Sequence, residues 1–151
     1  MREFDTAVGA LLGPRYGAGS RTQENKPWAI VNVDCEGNFS TFSPELLGMS
    51  SPRHGSFTLG HVARDALQEV LAGERFQSLE GEIGLGVERC RQTCPYFAFC
   101  GGGAPANKFF ETGTFAATET LFCRLHKQVC LDVTLARLEQ PFAAPAGPTR
   151  P

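Results

Sequence analysis

The order of apolar and polar positions divides the chain into a helical start, a β-rich middle and a helical end. Residues 3–12 have a helical pattern that stops at Gly13-Pro14, and residues 16–26 form a polar, glycine-containing connection. Trp28-Ala29-Ile30-Val31-Asn32-Val33 is rich in strand formers, Asp34-Cys35-Glu36-Gly37 reads as a turn, and residues 39–42 alternate apolar with polar; together they predict a β-hairpin. Ser43-Pro44-Glu45 starts a short turn, and residues 49–56 read as a loop. Val62, Ala66, Leu67 and Val70 lie at helical spacing, which predicts a helix over 61–71 stopped by Gly73. A second short helix over 74–79 presents Phe76 and Leu79 to the core. Residues 84–103 follow neither period, so their order is expected to come from a bound group. The last helix starts at Thr118 or Thr120, either suited to an N-cap, and runs to about Glu139, with Leu121, Leu125, Val129 and Val133 at every fourth position. After Gln140 a proline- and alanine-rich run has too little to pack and is expected to be disordered. No internal repeat is present, and the elements add up to an α+β domain.

Composition narrows the functions available. A chain of 151 residues, 42% apolar and 20% charged, is expected to be one domain with a true core. Its 14 basic and 16 acidic residues give a net charge of −2 without a like-charge run, so nucleic acid is not an expected partner. The first dozen residues include Glu3 and Asp5 and lack a basic region followed by an apolar stretch. Neither a secretory signal nor a membrane span is therefore read, and a cytoplasmic location is expected. Six cysteines fall well below the density of about 8–10% that marks disulfide scaffolds, and clustered thiols in a reducing compartment point to metal.

Four of them carry the chemistry. Cys90, three residues, Cys94, five residues, Cys100 and then twenty-two residues to Cys123 make a three-plus-one arrangement in which a loop wraps a cluster and a distant element closes it. Structural zinc sites use two short pairs separated by a longer gap, whereas here only the first interval falls in the pair range, so iron–sulfur is favoured over zinc. Cys123 in the first turn of the last helix would meet the positive end of the helix dipole, which lowers a thiol pKa. Gly101-Gly102-Gly103 lets the backbone approach a sulfur closely, and a plain flexible turn is the alternative. Tyr96, Phe97, Phe99, Phe109, Phe110 and Phe122 could shield a cluster but read as core first, and Lys108, Arg89 and Arg91 read as solvated surface. Cys130, seven residues after Cys123, reads as a buried core thiol, and Cys35 in the hairpin turn as incidental. His54, His61 and His126 form no pair, and Gly84-Leu85-Gly86 lacks the rest of a phosphate-binding loop.

These residues resemble the SPASM domain, the C-terminal extension of radical SAM enzymes that mature ribosomally made peptides. The runs Cys100-Gly101-Gly102-Gly103-Ala104-Pro105-Ala106-Asn107-Lys108, Glu111-Thr112-Gly113 and Thr118-Glu119-Thr120-Leu121-Phe122-Cys123 are similar to the cyclophane-forming maturases of glycine-rich-repeat precursor peptides. So are Val33-Asp34 and Gly37-Asn38-Phe39-Ser40-Thr41-Phe42-Ser43-Pro44-Glu45-Leu46-Leu47-Gly48, and the resemblance covers about residues 27–138. The common SPASM pattern houses two auxiliary clusters. Here Phe42 and Ala104 stand where two of its cysteines belong, no cysteine lies between Arg21 and Lys26, and three residues rather than two separate Cys90 from Cys94. The resemblance thus implies one auxiliary [4Fe–4S] cluster on Cys90, Cys94, Cys100 and Cys123.

It further implies a leading segment 1–26 that is the remnant of an N-terminal core, an auxiliary-cluster domain over 27–139, and a tail over 140–151. The chain has no room for the radical SAM core and its CxxxCxxC motif, so S-adenosylmethionine belongs to a partner core and catalysis by this chain alone is not expected. The implied partners are that core and a glycine-rich-repeat precursor peptide. A stand-alone iron–sulfur electron-transfer or peptide-binding module, and a zinc-stabilised interaction domain using the same thiolates, are the alternatives.

Overall fold

The computed structural model describes residues 2–12 and 22–140. Most of the connection expected before residue 26 and the tail expected after Gln140 lie outside the described residues. The chain forms an α+β domain in which helices predominate over two small antiparallel sheets. After α1 (Arg2–Leu12) and a 3₁₀ turn (Gln23–Asn25) come β1 (Val31–Val33) and β2 (Asn38–Thr41), the expected hairpin, paired in the register Val31↔Thr41, Asn32↔Ser40 and Val33↔Phe39. Asp34 closes the turn by accepting the Glu36 and Asn38 amides on Oδ1 at 2.9 Å each.

The first strand is shorter than its composition suggests. Trp28 takes a left-handed φ of 62°, so residues before Val31 turn instead of extending. A 3₁₀ turn (Pro44–Leu46) follows the hairpin. Residues 49–56 are then a minimal second hairpin of β3 (Ser50–Ser51) and β4 (Gly55–Ser56), not an irregular loop.

The helix expected over 61–71 is corrected. β5 (Gly60–His61) adds to β2, giving the sheet order β1-β2-β5, and α2 (Leu67–Ala72) begins only at Leu67. Asp65 accepts the His61 amide and holds the turn between them, and Val62 is 58% exposed. The helical spacing of Val62 and Ala66 therefore reflects no shared helix face.

The short helix expected over 74–79 runs on as α3 (Glu74–Thr93), twenty residues long. Its buried positions Phe76, Leu79, Ile83, Gly86 and Cys90 alternate three- and four-residue steps, the period of a helix face. Half of the segment expected to depend on a bound group is thus ordinary hydrogen-bonded helix, a single turn, α4 (Phe97–Cys100), lies in the rest, and α5 (Pro105–Thr112) follows it. Phe42, Leu46, Phe57, Phe76, Leu79, Ile83, Ala106 and Phe115 form the core between α3, α5 and the two hairpins. Phe115, fully buried, stacks on Phe109 at 4.9 Å between ring centroids and meets Phe57 edge-on at 5.5 Å.

The final helix comprises α6 (Leu121–Cys123), a π-helical stretch (Arg124–Gln128) and α7 (Val129–Glu139). Its expected apolar stripe is corrected too: Leu121, Leu125, Val129 and Val133 are all about half exposed, while Cys130, Leu131 and Thr134 turn inward. The wider π turn adds a residue per turn and re-aims the face that follows it. α1 lies against α7. Among the described residues no helix is long and apolar enough to cross a membrane.

Candidate metal centre

Three helix ends meet around the cysteines. Cys90 sits in the last turn of α3, not in a loop, and Cys94 is that helix's C-cap, its amide donating to the Cys90 carbonyl at 2.9 Å. Cys100 ends α4, after which Gly101, Gly102 and Gly103 all adopt left-handed φ between 70° and 101°. A Cβ on Gly102 would press on Val87 of α3 at 3.2 Å, so glycine is required both for the turn and for the close approach. Cys123 is the third residue of the final helix. All four cysteines line one cavity of about 260 Å³, together with Glu24, Glu45, Phe97, Lys108 and Phe122.

Contacts distant in sequence fix this geometry. Asn25, 9% exposed, donates its side-chain amide to the Gly101 carbonyl (2.9 Å) and the Gly103 carbonyl (3.2 Å). Ser43 donates to Glu24 at 2.9 Å and accepts the Ala106 amide at 3.2 Å, which ties the first turn of α5 to the hairpin side. The Glu111 carboxylate of α5 accepts the amides of Leu121 and Phe122, and Thr120 Oγ1 accepts that of Cys123 at 3.0 Å, so the start of the final helix is capped twice.

The expected ionisation of Cys123 is corrected. Its pKa is raised, first because its thiol hydrogen-bonds Cys100 and then because it is buried. Cys100 takes the benefit instead, lowered to about 7 chiefly by the Cys123 thiol and helped by the Gly102 amide and Lys127. The two share a proton, with Cys123 donating to the Cys100 thiolate. Burial raises the Cys90 thiol, against the pull of Lys108, and Cys90 Sγ donates to the Thr118 carbonyl at 3.1 Å.

Lys108 is the residue the sequence reading misplaced. It is 4% exposed, on α5, and its Nζ donates to Cys90 Sγ at 3.5 Å. Burial lowers its pKa, and the thiols of Cys90, Cys100 and Cys123 oppose that shift. Arg89 and Arg91 are exposed, the first donating to the Ala116 carbonyl at 3.1 Å and the second lying 5.5 Å over the Phe97 ring. Of the aromatic residues, Phe97 and Phe122 reach the cavity, Phe109 belongs to the core, Phe110 is 52% exposed, and Tyr96 donates to Asp132 at 2.9 Å.

Cys130 is buried, its thiol donating to the Leu125 carbonyl at 3.5 Å, and Cys35 is exposed. His54, its side chain buried, bridges the second hairpin to α3, with Nε2 2.5 Å from Glu82 and Nδ1 3.2 Å from Ser78. Asn25, Glu111 and Lys108 carried no local signal in the sequence, since each acts on residues far from itself.

Among the described residues no three His, Cys, Asp or Glu side chains are gathered closely enough to hold a single metal ion.

No family model matches the chain, and no solved structure matches it. An uncharacterized protein, sll1766, of Synechocystis sp. (strain ATCC 27184 / PCC 6803 / Kazusa) is 48% identical over 119 residues, 79% of this chain and 30% of that protein. The chain therefore spans less than a third of the length of the curated relative it matches.

Proposed function

We propose that this chain is the auxiliary iron–sulfur part of a radical SAM peptide-modifying enzyme, of the SPASM kind, with one [4Fe–4S] cluster on Cys90, Cys94, Cys100 and Cys123. The observation that carries the reading is the convergence of four thiols, drawn from α3, its C-cap, α4 and the final helix, on one cavity. The donor set suits the group: thiolate sulfur, glycine-turned backbone beside it, a buried amine, and aromatic edges that limit water. A bound cluster would supply one-electron transfer. Cys100 enters ligation with its proton already easily lost, Lys108 donates to the sulfur of Cys90, and Phe97 and Phe122 cover the flank.

The larger enzyme is also part of this proposal. A relative in which the matching stretch is 30% of the length has ample chain for a separate catalytic core, which fits a module serving a larger assembly. On this reading the S-adenosylmethionine chemistry lies on that core, the substrate is a glycine-rich-repeat precursor peptide, and the setting is the reducing cytoplasm.

Anaerobic reconstitution with iron and sulfide tests the centre. The expected product is a brown protein with iron and sulfide in equal amounts, lost on Cys100→Ser or Cys123→Ser. A colourless protein that retains zinc and no sulfide would refute the cluster and favour a zinc-stabilised domain. Failure of the loaded chain to bind a glycine-rich-repeat peptide in the presence of a radical SAM core would refute the enzyme context alone.

A further inference from the structure

Burying an ammonium costs several kcal/mol unless a negative group faces it. Lys108 is buried on α5, yet among the described residues no carboxylate forms an ion pair with it. The groups that favour its charged form are the sulfurs of Cys90, Cys100 and Cys123. Its position is also built rather than incidental. A Cβ on Gly86 would stand 3.1 Å from Nζ, inside ordinary contact, so the glycine at that position of α3 leaves room for the side chain. Ser43, by accepting the Ala106 amide, and Thr112, by donating to the Lys108 carbonyl at 2.7 Å, hold the turn of α5 that carries it.

We propose that Lys108 is the charge-compensating residue of this centre: its ammonium, donating to Cys90 Sγ, favours the reduced cluster and raises its potential. The inference rests on the cluster reading. A cluster bound by four thiolates is negative in both redox states and more so after gaining an electron, so a fixed positive charge stabilises the reduced state more. Net charge and hydrogen bonds to sulfur are the protein's main means of setting such potentials. The electron itself comes from the mediator in the assay, and no bond is made or broken at Lys108.

The test is a mediated redox titration of the reconstituted chain, followed by the spin signal of the reduced cluster, on wild type, Lys108→Met, Lys108→Gln and Lys108→Arg. Both neutral variants are expected to titrate at a potential more negative by about 59 mV or more, a tenfold change in the one-electron equilibrium. Lys108→Arg is expected to stay nearer to wild type. Unchanged potentials in Met and Gln variants that hold a full cluster overturn this inference and leave the cluster reading standing. A wild-type chain that binds no cluster overturns both. If the neutral variants fold, by far-ultraviolet circular dichroism, but do not retain iron, recovery of iron in Lys108→Arg supports the charge requirement. Loss in all three variants overturns it in favour of a steric role.

Discussion

Substituting alanine at two glycines of one helix should move stability in opposite directions. Gly84 and Gly86 both lie inside α3, where glycine costs about 1 kcal/mol relative to alanine. At Gly84 an added Cβ meets nothing within 4 Å, so Gly84→Ala should stabilise the chain by about 1 kcal/mol. At Gly86 the same atom would stand 2.1 Å from the Phe115 carbonyl oxygen and 3.1 Å from the Ala116 Cα, more than an ångström inside ordinary contact. The obstacle is backbone and cannot rotate away, and Phe115 is fully buried among Phe57 and Phe109, so relief must come from displacing a core segment. Overpacking of this kind costs about 1–3 kcal/mol, and the severity of the contact favours the upper end. Against the propensity gain, a net loss of about 2 kcal/mol is expected for Gly86→Ala, and a gap of about 3 kcal/mol between the two variants. Urea unfolding of the reduced, metal-free chain, read by circular dichroism with a common slope, measures both values. Because the displaced segment leads to the Thr118 carbonyl that accepts from Cys90, Gly86→Ala should also reconstitute poorly where Gly84→Ala does not. A Gly86→Ala midpoint at or above that of wild type would refute the packing described for α3 against residues 115–116.

Three further outcomes are expected. Glu111→Ala uncaps the amides of Leu121 and Phe122 and should cost about 1 kcal/mol in urea unfolding, with faster amide exchange confined to the start of the final helix; unchanged exchange there would contradict the cap. His54→Ala removes the contact of the His54 ring with Glu82, 6% exposed at its side chain, leaving Thr114 and Arg53, and should cost about 2 kcal/mol, so a loss under about 1 kcal/mol would show the contact to be dispensable. In the reduced, metal-free chain Cys100 should alkylate with a midpoint of about 7, moving up towards 9.0 in Cys123→Ala; equal midpoints in the two proteins would dismiss the shared proton. The sign for stability follows from the same pair. From about pH 7 to 9.0 the unfolded chain holds the Cys100 proton that the folded chain has released, so this contribution rises with pH. Above 9.0 it falls, since the unfolded chain then ionises a Cys123 that the folded chain keeps protonated.

The first hairpin was legible because alternation and an Asp-to-Gly turn are local signals, and both survive in the register of β1 and β2. α3 was cut short because its buried face after Ile83 continues through Gly86 and Cys90, a residue without a side chain and a thiol, with Gly81 and Gly84 diluting the pattern further. Val62 and Ala66 mimicked a helix that the strand pairing of His61 excludes. The final helix had the right extent and the wrong face, since the π turn between Arg124 and Gln128 breaks the simple fourfold repeat. Of the candidate site, the convergence of the four cysteines on one cavity could be anticipated from their spacing. Lys108 could not, because a lysine in sequence looks the same whether it faces water or sulfur, and the space it fills depends on Gly86 of another helix.

The amide of Asn25 reaches the glycine triplet across more than seventy residues of sequence. A synthetic peptide spanning only the cysteines would therefore lack the clasp that holds its tightest turn, however faithfully it copied the sulfur spacing. Any minimal excised version of this centre has to bring the short turn around residue 25 along with it, either as continuous chain or as a second fragment, before its loop can hold the same shape.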